Sequence, residues 1–318
     1  MQIITGSAGR KLRKIENQHN TTKEIMIQQK LKGSGVALVT PFKANGEVDM
    51  DGLGKLIDHC ISGGIEYLVS LGTTGESATL SKEEKLDVLN YTIGHTNGRV
   101  PLVAGFGGND TRAVLKDIEH FHFKGIDAIL SVSPYYSKPT QAGIIAHYKA
   151  IAAAAPRPVI LYNVPGRTGA NMAAETTITL STVSNIIGIK EASGNLGQCM
   201  QIMMNTPKEF LKISGDDNIT LPLISLGFDG VISVSGQGFP KVFSQMVREA
   251  LKGDFEAARK LHYKLVDVTD MLFAEGNPGG IKYVLQLKGI SDPHVRLPLV
   301  DISEGLKAKI KAEVEKIR

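Results

Sequence analysis

The sequence predicts an α/β protein: a (β/α)8 barrel with a C-terminal helical appendage. Three observations carry this. Eight short apolar runs recur from residue 35 onward, longer amphipathic segments separate them, and no Gly-rich phosphate loop follows the first run. Runs that are apolar throughout suit strands covered on both faces of a parallel sheet. A doubly wound open sheet would show a glycine fingerprint after its first strand. Thr40-Pro41-Phe42 stands in that place here.

The strand-like runs are 35–41 (GVALVTP), 67–72 (YLVSLG), 101–105 (PLVAG), 128–134 (AILSVSP), 158–164 (PVILYNV), 185–190 (NIIGIK), 211–215 (LKISG) and 230–234 (GVISV). Helices are expected near 50–63, 82–96, 111–124, 141–154, 173–183, 195–204, 218–226 and 239–252. Cap-like residues mark several starts. Ser81 with Glu84 three residues later has the spacing of a capping box, Asp110 precedes Thr111, and Asp217 precedes Asn218. Eight strands alternating with eight helices fit the barrel. Beyond it, 254–274, 281–289 and 303–317 read as helices around a Gly/Pro turn at 276–280. Three segments follow: a flexible basic leader over 1–32, the barrel over 33–253 and the appendage over 254–318.

Charge and cysteine usage narrow the function classes. Of the net +4, residues 1–32 hold seven Lys/Arg against two acids, a balance of +5; the remaining 29 bases and 30 acids leave −1. A near-neutral body offers no basic face for nucleic acid. No run approaches the ~18 apolar residues of a membrane span. Cys60 and Cys199 lie far apart with no Cys or His at metal-ligand spacing, so they read as buried free thiols in a reducing, cytoplasmic setting. The leader has neither a secretory h-region nor the acid-poor, Ser-rich composition of a transit peptide. Met26 offers an internal start just before the first strand.

In a barrel the reactive residues collect at the C-terminal ends of the strands. Lys190 closes the run Asn185-Ile186-Ile187-Gly188-Ile189-Lys190. Burial disfavours the charged amine, and a neutral lysine is a nucleophile able to form a Schiff base with a carbonyl. On that segment alone, a lysine that snorkels to water is the commoner outcome. Its company changes the balance. Tyr162 ends the preceding strand at the equivalent place, and strands about 4.8 Å apart let the two side chains converge, with the phenol as a proton shuttle. The alternative for Tyr162 is a core aromatic with a satisfied hydroxyl.

Strand two ends Gly72-Thr73-Thr74-Gly75-Glu76-Ser77. Its hydroxyls and closely approachable backbone suit a carboxylate, although the same letters also make a plain strand-to-helix turn. Arg167 carries a planar fork suited to a carboxylate, unless it pairs with Glu191. Asp216 and Asp217 lack companions at metal-ligand spacing and read as a helix start.

At these strand ends the chain resembles the dihydrodipicolinate synthase family of pyruvate-dependent class I aldolases, over roughly residues 33–300. The motifs that carry the resemblance are Gly72-Thr73-Thr74-Gly75-Glu76-Ser77, Pro134-Tyr135-Tyr136, Tyr162-Asn163-Val164-Pro165-Gly166-Arg167-Thr168-Gly169 and Gly188-Ile189-Lys190-Glu191-Ala192-Ser193-Gly194. Ser214-Gly215-Asp216-Asp217 and Gly230-Val231-Ile232-Ser233-Val234 also fit. The resemblance implies that Lys190 forms a Schiff base with pyruvate, which as an enamine attacks L-aspartate 4-semialdehyde to give 4-hydroxy-tetrahydrodipicolinate, in lysine biosynthesis. It further implies Tyr162 as proton donor and Thr73 and Tyr136 as its relay, Tyr136 serving a neighbouring subunit. Thr74 and the Ile232 backbone would contact pyruvate, Gly215 would line the substrate site, and Arg167 would hold the semialdehyde carboxylate. A homotetramer built from dimers, without metal or organic cofactor, is also implied.

Two departures stand out. Ser137 replaces the usual residue after Pro-Tyr-Tyr. Where lysine-inhibited members carry histidines and a glutamate, this chain has Lys82, Lys85 and Ala113, although Ser77, Ala78, Asn109 and Tyr135 are retained. Two added cations and a lost carboxylate should repel a lysine ammonium group. Sister activities on the same scaffold, N-acetylneuraminate lyase or a keto-deoxy sugar-acid aldolase, share the lysine and tyrosine. Arg167 and the double threonine favour the synthase. A non-catalytic binding barrel is disfavoured by the intact set Lys190, Tyr162, Thr73 and Tyr136.

Overall fold

The computed structural model describes residues 27–317. Eight parallel strands close on themselves in sequence order: β1 (Gly33–Ala37), β2 (Tyr67–Ser70), β3 (Leu102–Gly105), β4 (Ala128–Val132), β5 (Val159–Asn163), β6 (Ile186–Glu191), β7 (Leu211–Ser214) and β8 (Gly230–Ser233). The expected barrel is therefore the observed fold. The expected runs overshoot most strand ends because their last residues belong to the loops of the C-terminal face.

A principal helix follows each strand: α1 (Met50–Ser62), α2 (Lys82–Thr96), α3 (Thr111–His120), α4 (Gln141–Ala154), α5 (Ala174–Leu180), α6 (Leu196–Asn205), α7 (Thr220–Ser225) and α8 (Pro240–Leu251). Their starts are set locally. Ser81 accepts from the Glu84 N–H while the Glu84 carboxylate accepts from the Ser81 N–H, the reciprocal pair its spacing predicts. Asp110 caps α3 through the Arg112 N–H at 2.9 Å. Before α7 the cap is Asp216, which accepts from the Asn218 N–H at 3.2 Å. Asp217, expected in that role, has another.

Two apolar layers hold the barrel. Inward-facing Ala37, Val69, Val103, Leu130, Ile160 and Ile213 fill the interior, and the larger core lies between strands and helices. Tyr67 donates to the Val231 carbonyl across the interior at 3.1 Å. Gly35 lies under that ring, and a Cβ there would sit 2.2 Å from it. Leu31 is fully buried among the interior residues, and Gln28 Nε2 donates to the Ile187 carbonyl at 3.3 Å. The flexible leader expected over 1–32 therefore cannot extend to residue 32, because burial of Leu31 anchors the segment just before β1. The rest of that expectation, and Met26 with it, lies outside the described residues.

The appendage corrects one expectation. The helix expected over 254–274 is two, α9 (Phe255–His262) and α10 (Val266–Phe273). The break lets each half bury its apolar face against a different neighbour, α8 for the first and the last two helices for the second. Those two are α11 (Gly279–Leu287) and α12 (Glu304–Lys316). The segment after α11 returns to the barrel through Arg296. Its guanidinium pairs with both Glu84 oxygens, donates to the Thr79 and Gly46 carbonyls and stacks 4.4 Å from the centre of the Phe42 ring. Cys60 and Cys199 are both buried free thiols. No helix among the described residues is long and apolar enough to cross a membrane.

Arg296 holds the Glu84 carboxyl down to about 2. A folded-state value below the unfolded one contributes stability above about 4.5 and loses it as pH falls towards 2. Arg296→Met should therefore destabilise the protein by about 1–2 kcal/mol at pH 7, allowing for the partial exposure of Glu84. The gap from the unsubstituted protein should narrow by pH 3.5. Denaturant titrations at both pH values check this, and a gap that does not narrow would refute it.

Candidate active site

The C-terminal rim of the barrel brings Lys190 and Tyr162 together. The β5–β6 register pairs Tyr162 with Lys190 directly. The Lys190 ammonium lies over the phenol ring, 4.5 Å from its centroid, and the two residues are only 5% and 6% exposed. The snorkelling alternative for Lys190 is thus not what the fold builds. Gly215, on the next strand end, leaves room for it: a Cβ there would sit 3.0 Å from Lys190 Cε and 2.7 Å from Ala192 Cβ. Any larger residue at 215 would push on the lysine stem.

Register selects the face as well as the neighbour. Pairing shifts by one residue after Val159, so that Ile160 meets Gly188 rather than Ile187. Gly188 also presses on β7, where a Cβ would come within 2.5 Å of Leu211 Cβ. Glu191, the residue after Lys190, points away from the site. It is 1% exposed and accepts from Asn163 Nδ2, Gln198 Nε2 and the Ser193 N–H. That network, and not Arg167, occupies the Glu191 carboxylate.

Thr73 and Thr74 lie in a 3-10 turn, Thr73–Gly75, bracketed by two non-glycine residues with left-handed backbones, Leu71 at φ 57° and Glu76 at φ 50°. Strain of this kind persists only where the surroundings impose it. Thr40 Oγ1 holds the Gly75 carbonyl at 2.7 Å. Thr74 is buried, and its oxygen accepts from Asn277 Nδ2 at 2.9 Å. The hydroxyl proton of Thr74 is thereby left to donate elsewhere. Thr73 is exposed and lines, together with Tyr162, a cavity of about 300 Å3 between α2 and α3. Apolar residues such as Leu86, Phe106 and Phe121 wall that cavity, and Lys82, Lys85 and Lys116 are among its polar lining. Lys82 lies 3.2 Å from Asp117.

Ile232 is buried on β8. The backbone just beyond it is fixed by Asp217, whose Oδ2 accepts from the N–H groups of Val234 and Ser235 at 3.0 and 2.8 Å. Sequence reasoning missed this role because an Asp after a strand looks like a cap. It also missed Asn277, which precedes a proline in a stretch legible only as a turn. Two predicted residues stand apart from the cluster within this chain. Arg167 sits exposed on the single helical turn Pro165–Thr168 and makes no ion pair among the described residues. Tyr136 is 88% exposed with a left-handed φ of 71°. Among the described residues no group of three or more His, Cys, Asp or Glu comes together as a metal site.

Comparison with known proteins places nearly the whole described chain in one family. Residues 30–317 match the model of the dihydrodipicolinate synthetase family. The chain is 52% identical to a 4-hydroxy-tetrahydrodipicolinate synthase of Flavobacterium psychrophilum, over 87% of this chain and 95% of that protein. It superposes with a TM-score of 0.88, at 39% identity, on the chloride-inhibited dihydrodipicolinate synthase of Acinetobacter baumannii complexed with pyruvate, covering 90% of this chain and 99% of that one. A monomeric dihydrodipicolinate synthase variant also superposes with a TM-score of 0.88, at 35% identity, covering 91% and 98%. With its motifs set on the rim of a closed barrel, the chain belongs to the dihydrodipicolinate synthetase family.

Proposed function

We propose that this protein is a carbon–carbon bond-forming lyase that condenses pyruvate with L-aspartate 4-semialdehyde to 4-hydroxy-tetrahydrodipicolinate. The observation that carries the reading is the Lys190–Tyr162 contact on adjacent strands, next to a hydroxyl-bearing turn. The Lys190 amine attacks the pyruvate ketone, water leaves, and a Schiff base forms. Loss of a methyl proton gives the enamine, whose carbon attacks the aldehyde of the second substrate; the amino group of that substrate then adds to the imine carbon, closing the ring and releasing Lys190 as the free amine. The phenol of Tyr162 supplies and removes protons at the carbinolamine and aldehyde oxygens. The Thr74 hydroxyl, its oxygen already accepting from Asn277, donates to the pyruvate carboxylate. The backbone at Ile232 and the space at Gly215 complete that pocket.

Arg167, exposed and without an internal partner, receives the carboxylate of the semialdehyde. This preference separates the synthase from sialic-acid and sugar-acid aldolases, and the relatives' names point the same way. No metal or organic cofactor enters these steps.

Thr73 and Tyr136 form the proton relay, with Tyr136 reaching the relay of a neighbouring subunit. The exposure of Tyr136 and Tyr135 beside the rim supports a first contact between copies. A second apolar stripe, Leu196, Met200 and Met204 on one face of α6, supports another. Two separate faces suit a dimer of dimers. The reading places the enzyme in the cytoplasm, with neither nucleic acid nor membrane as partner.

Borohydride reduction in saturating pyruvate should leave a covalent adduct on Lys190, lost in Lys190→Ala; no adduct on the unsubstituted protein would overturn the reading. Arg167→Ala should raise the semialdehyde KM about 10-fold or more, from the lost charge-assisted pair, while pyruvate trapping stays complete. An unchanged semialdehyde KM would remove Arg167 from the site. Three lysines, Lys82, Lys85 and Lys116, outnumber the one carboxylate of Asp117 in the cavity lining, which should make it a poor host for a cationic amino acid. Free lysine at about 1 mM should therefore leave the rate nearly unchanged, since inhibition there would need only about 4 kcal/mol of binding. Strong inhibition below that concentration would contradict the charge argument.

A further inference from the structure

A buried ion pair that the proposed chemistry does not use joins the appendage to the threonine turn. Lys282 on α11 and Glu76 have side chains 0% and 1% exposed, and Lys282 Nζ lies 2.5 Å from Glu76 Oε1. The ammonium also donates to the His294 carbonyl at 2.7 Å and sits 4.2 Å from the centre of the Phe42 ring. The second Glu76 oxygen accepts from the Arg296 N–H at 3.1 Å. All of these partners come from the appendage or the β1–α1 loop, whereas Glu76 itself follows directly on Gly72-Thr73-Thr74-Gly75.

We propose that Lys282 is a positioning residue for the condensation: through Glu76 it holds the 72–75 turn so that Thr73 stays on the cavity it lines with Tyr162 and the buried Thr74 keeps its hydroxyl aimed at pyruvate. The proposal rests on the pyruvate reading above. Three features support it. Glu76 adopts a left-handed backbone although it is not glycine, a conformation its surroundings must impose. The pair is attached at the residue that ends the turn, where small shifts are transmitted to both hydroxyls. It is also a poor choice for stability alone. Burial holds the Lys282 ammonium down to about 8 against the pull of Glu76, so the charged lysine is worse off here than in water. A buried ion pair is weak evidence of stabilisation, because desolvation offsets much of its attraction. Asn277, from the same appendage, adds a second tie at Thr74.

The test compares Lys282→Met, the charge-free double variant Glu76→Gln/Lys282→Met, and Ile310→Ala, which loosens the appendage at a fully buried residue away from the turn. For each, kcat, both KM values, the trapped pyruvate adduct and Tm are measured. Both Lys282 variants should lose about 10–100-fold in kcat and raise the pyruvate KM, as a misplaced turn does. Their adduct on Lys190 should still reach completion at saturating pyruvate. The double variant should recover Tm to near that of the unsubstituted enzyme, but not kcat. Ile310→Ala should lose Tm with both KM values unchanged. If Lys282→Met does not fold, the double variant carries the test. Unchanged kcat and KM in the double variant, or activity that simply follows Tm across the set, would overturn the proposal. An unsubstituted enzyme that traps no pyruvate would instead remove the reading beneath it.

Discussion

The site depends on one register. Tyr162 and Lys190 share the interior face of the barrel only because β6 carries one more residue than β5 between Val159 and Ile160. Side chains alternate faces along a strand, so a one-residue slip reverses every side chain that follows. Without the shift, Tyr162 would stand opposite Ile189, which packs in the outer core between strands and helices. The irregularity places Ile187 inside, Ile189 outside and Lys190 inside again. Gly188 permits it by letting β6 close onto Leu211. A bulge re-aims a side chain while disrupting the ladder only locally, and here it turns the lysine inward.

The same division runs through the rest of the rim. Lys190 and Tyr162 lie on strands, where parallel ladders on both sides fix their positions. Apart from Ile232 on β8 and the untied Arg167, the groups assigned to substrate recognition lie on loops that polar ties from elsewhere in the chain hold in place. The tie is Asn277 for Thr74, Glu76 with Lys282 for the turn, and Asp217 for the backbone after β8. The appendage is therefore more than a trailing helical region. Thr269 and Asp270 on α10 meet Ser235 and Asn218 beside the β8 and β7 loops, and α11 meets the β2 loop. A barrel without it would keep its strands and lose the partners of three loops.

Much of this was legible in the sequence. The strands are apolar enough, and the helix starts polar enough, for all eight repeats and the Ser81–Glu84 box to be read directly. Lys190 and Tyr162 were found because strand-end position is a one-dimensional property. What stayed hidden depends on contacts distant in sequence. The β6 bulge leaves no mark in a run that is apolar on both faces. Lys282 reads as one more charge on an amphipathic helix until Glu76, about 200 residues earlier, is placed against it. Asp217 carries the signal of a cap, and only the fold shows that Asp216 takes that part. The break between α9 and α10 has no Gly or Pro to announce it, since it answers to two packing partners and not to local propensity. Leu31 looked like part of a polar leader because its apolar contacts all lie inside the barrel.

This separation of strand chemistry from loop recognition bears on how one scaffold serves several aldolases. In the proposed chemistry the Schiff base needs the lysine and the phenol, both carried by strands paired on each side. The choice of aldehyde, on the reading proposed above, falls to Arg167, on a single helical turn whose side chain makes no ion pair among the described residues. Replacing it would leave the barrel core untouched, because Arg167 buries nothing. The threonine turn is different. It sits on loops, yet its partners are buried charges whose loss would leave Glu76 or Lys282 uncompensated. If those roles hold, position 167 is free to vary without cost to the core, whereas Thr73 and Thr74 are tied to the buried pair through Glu76. Lys190 and Tyr162 are held by ladders on both sides, whereas Arg167 hangs on one short turn.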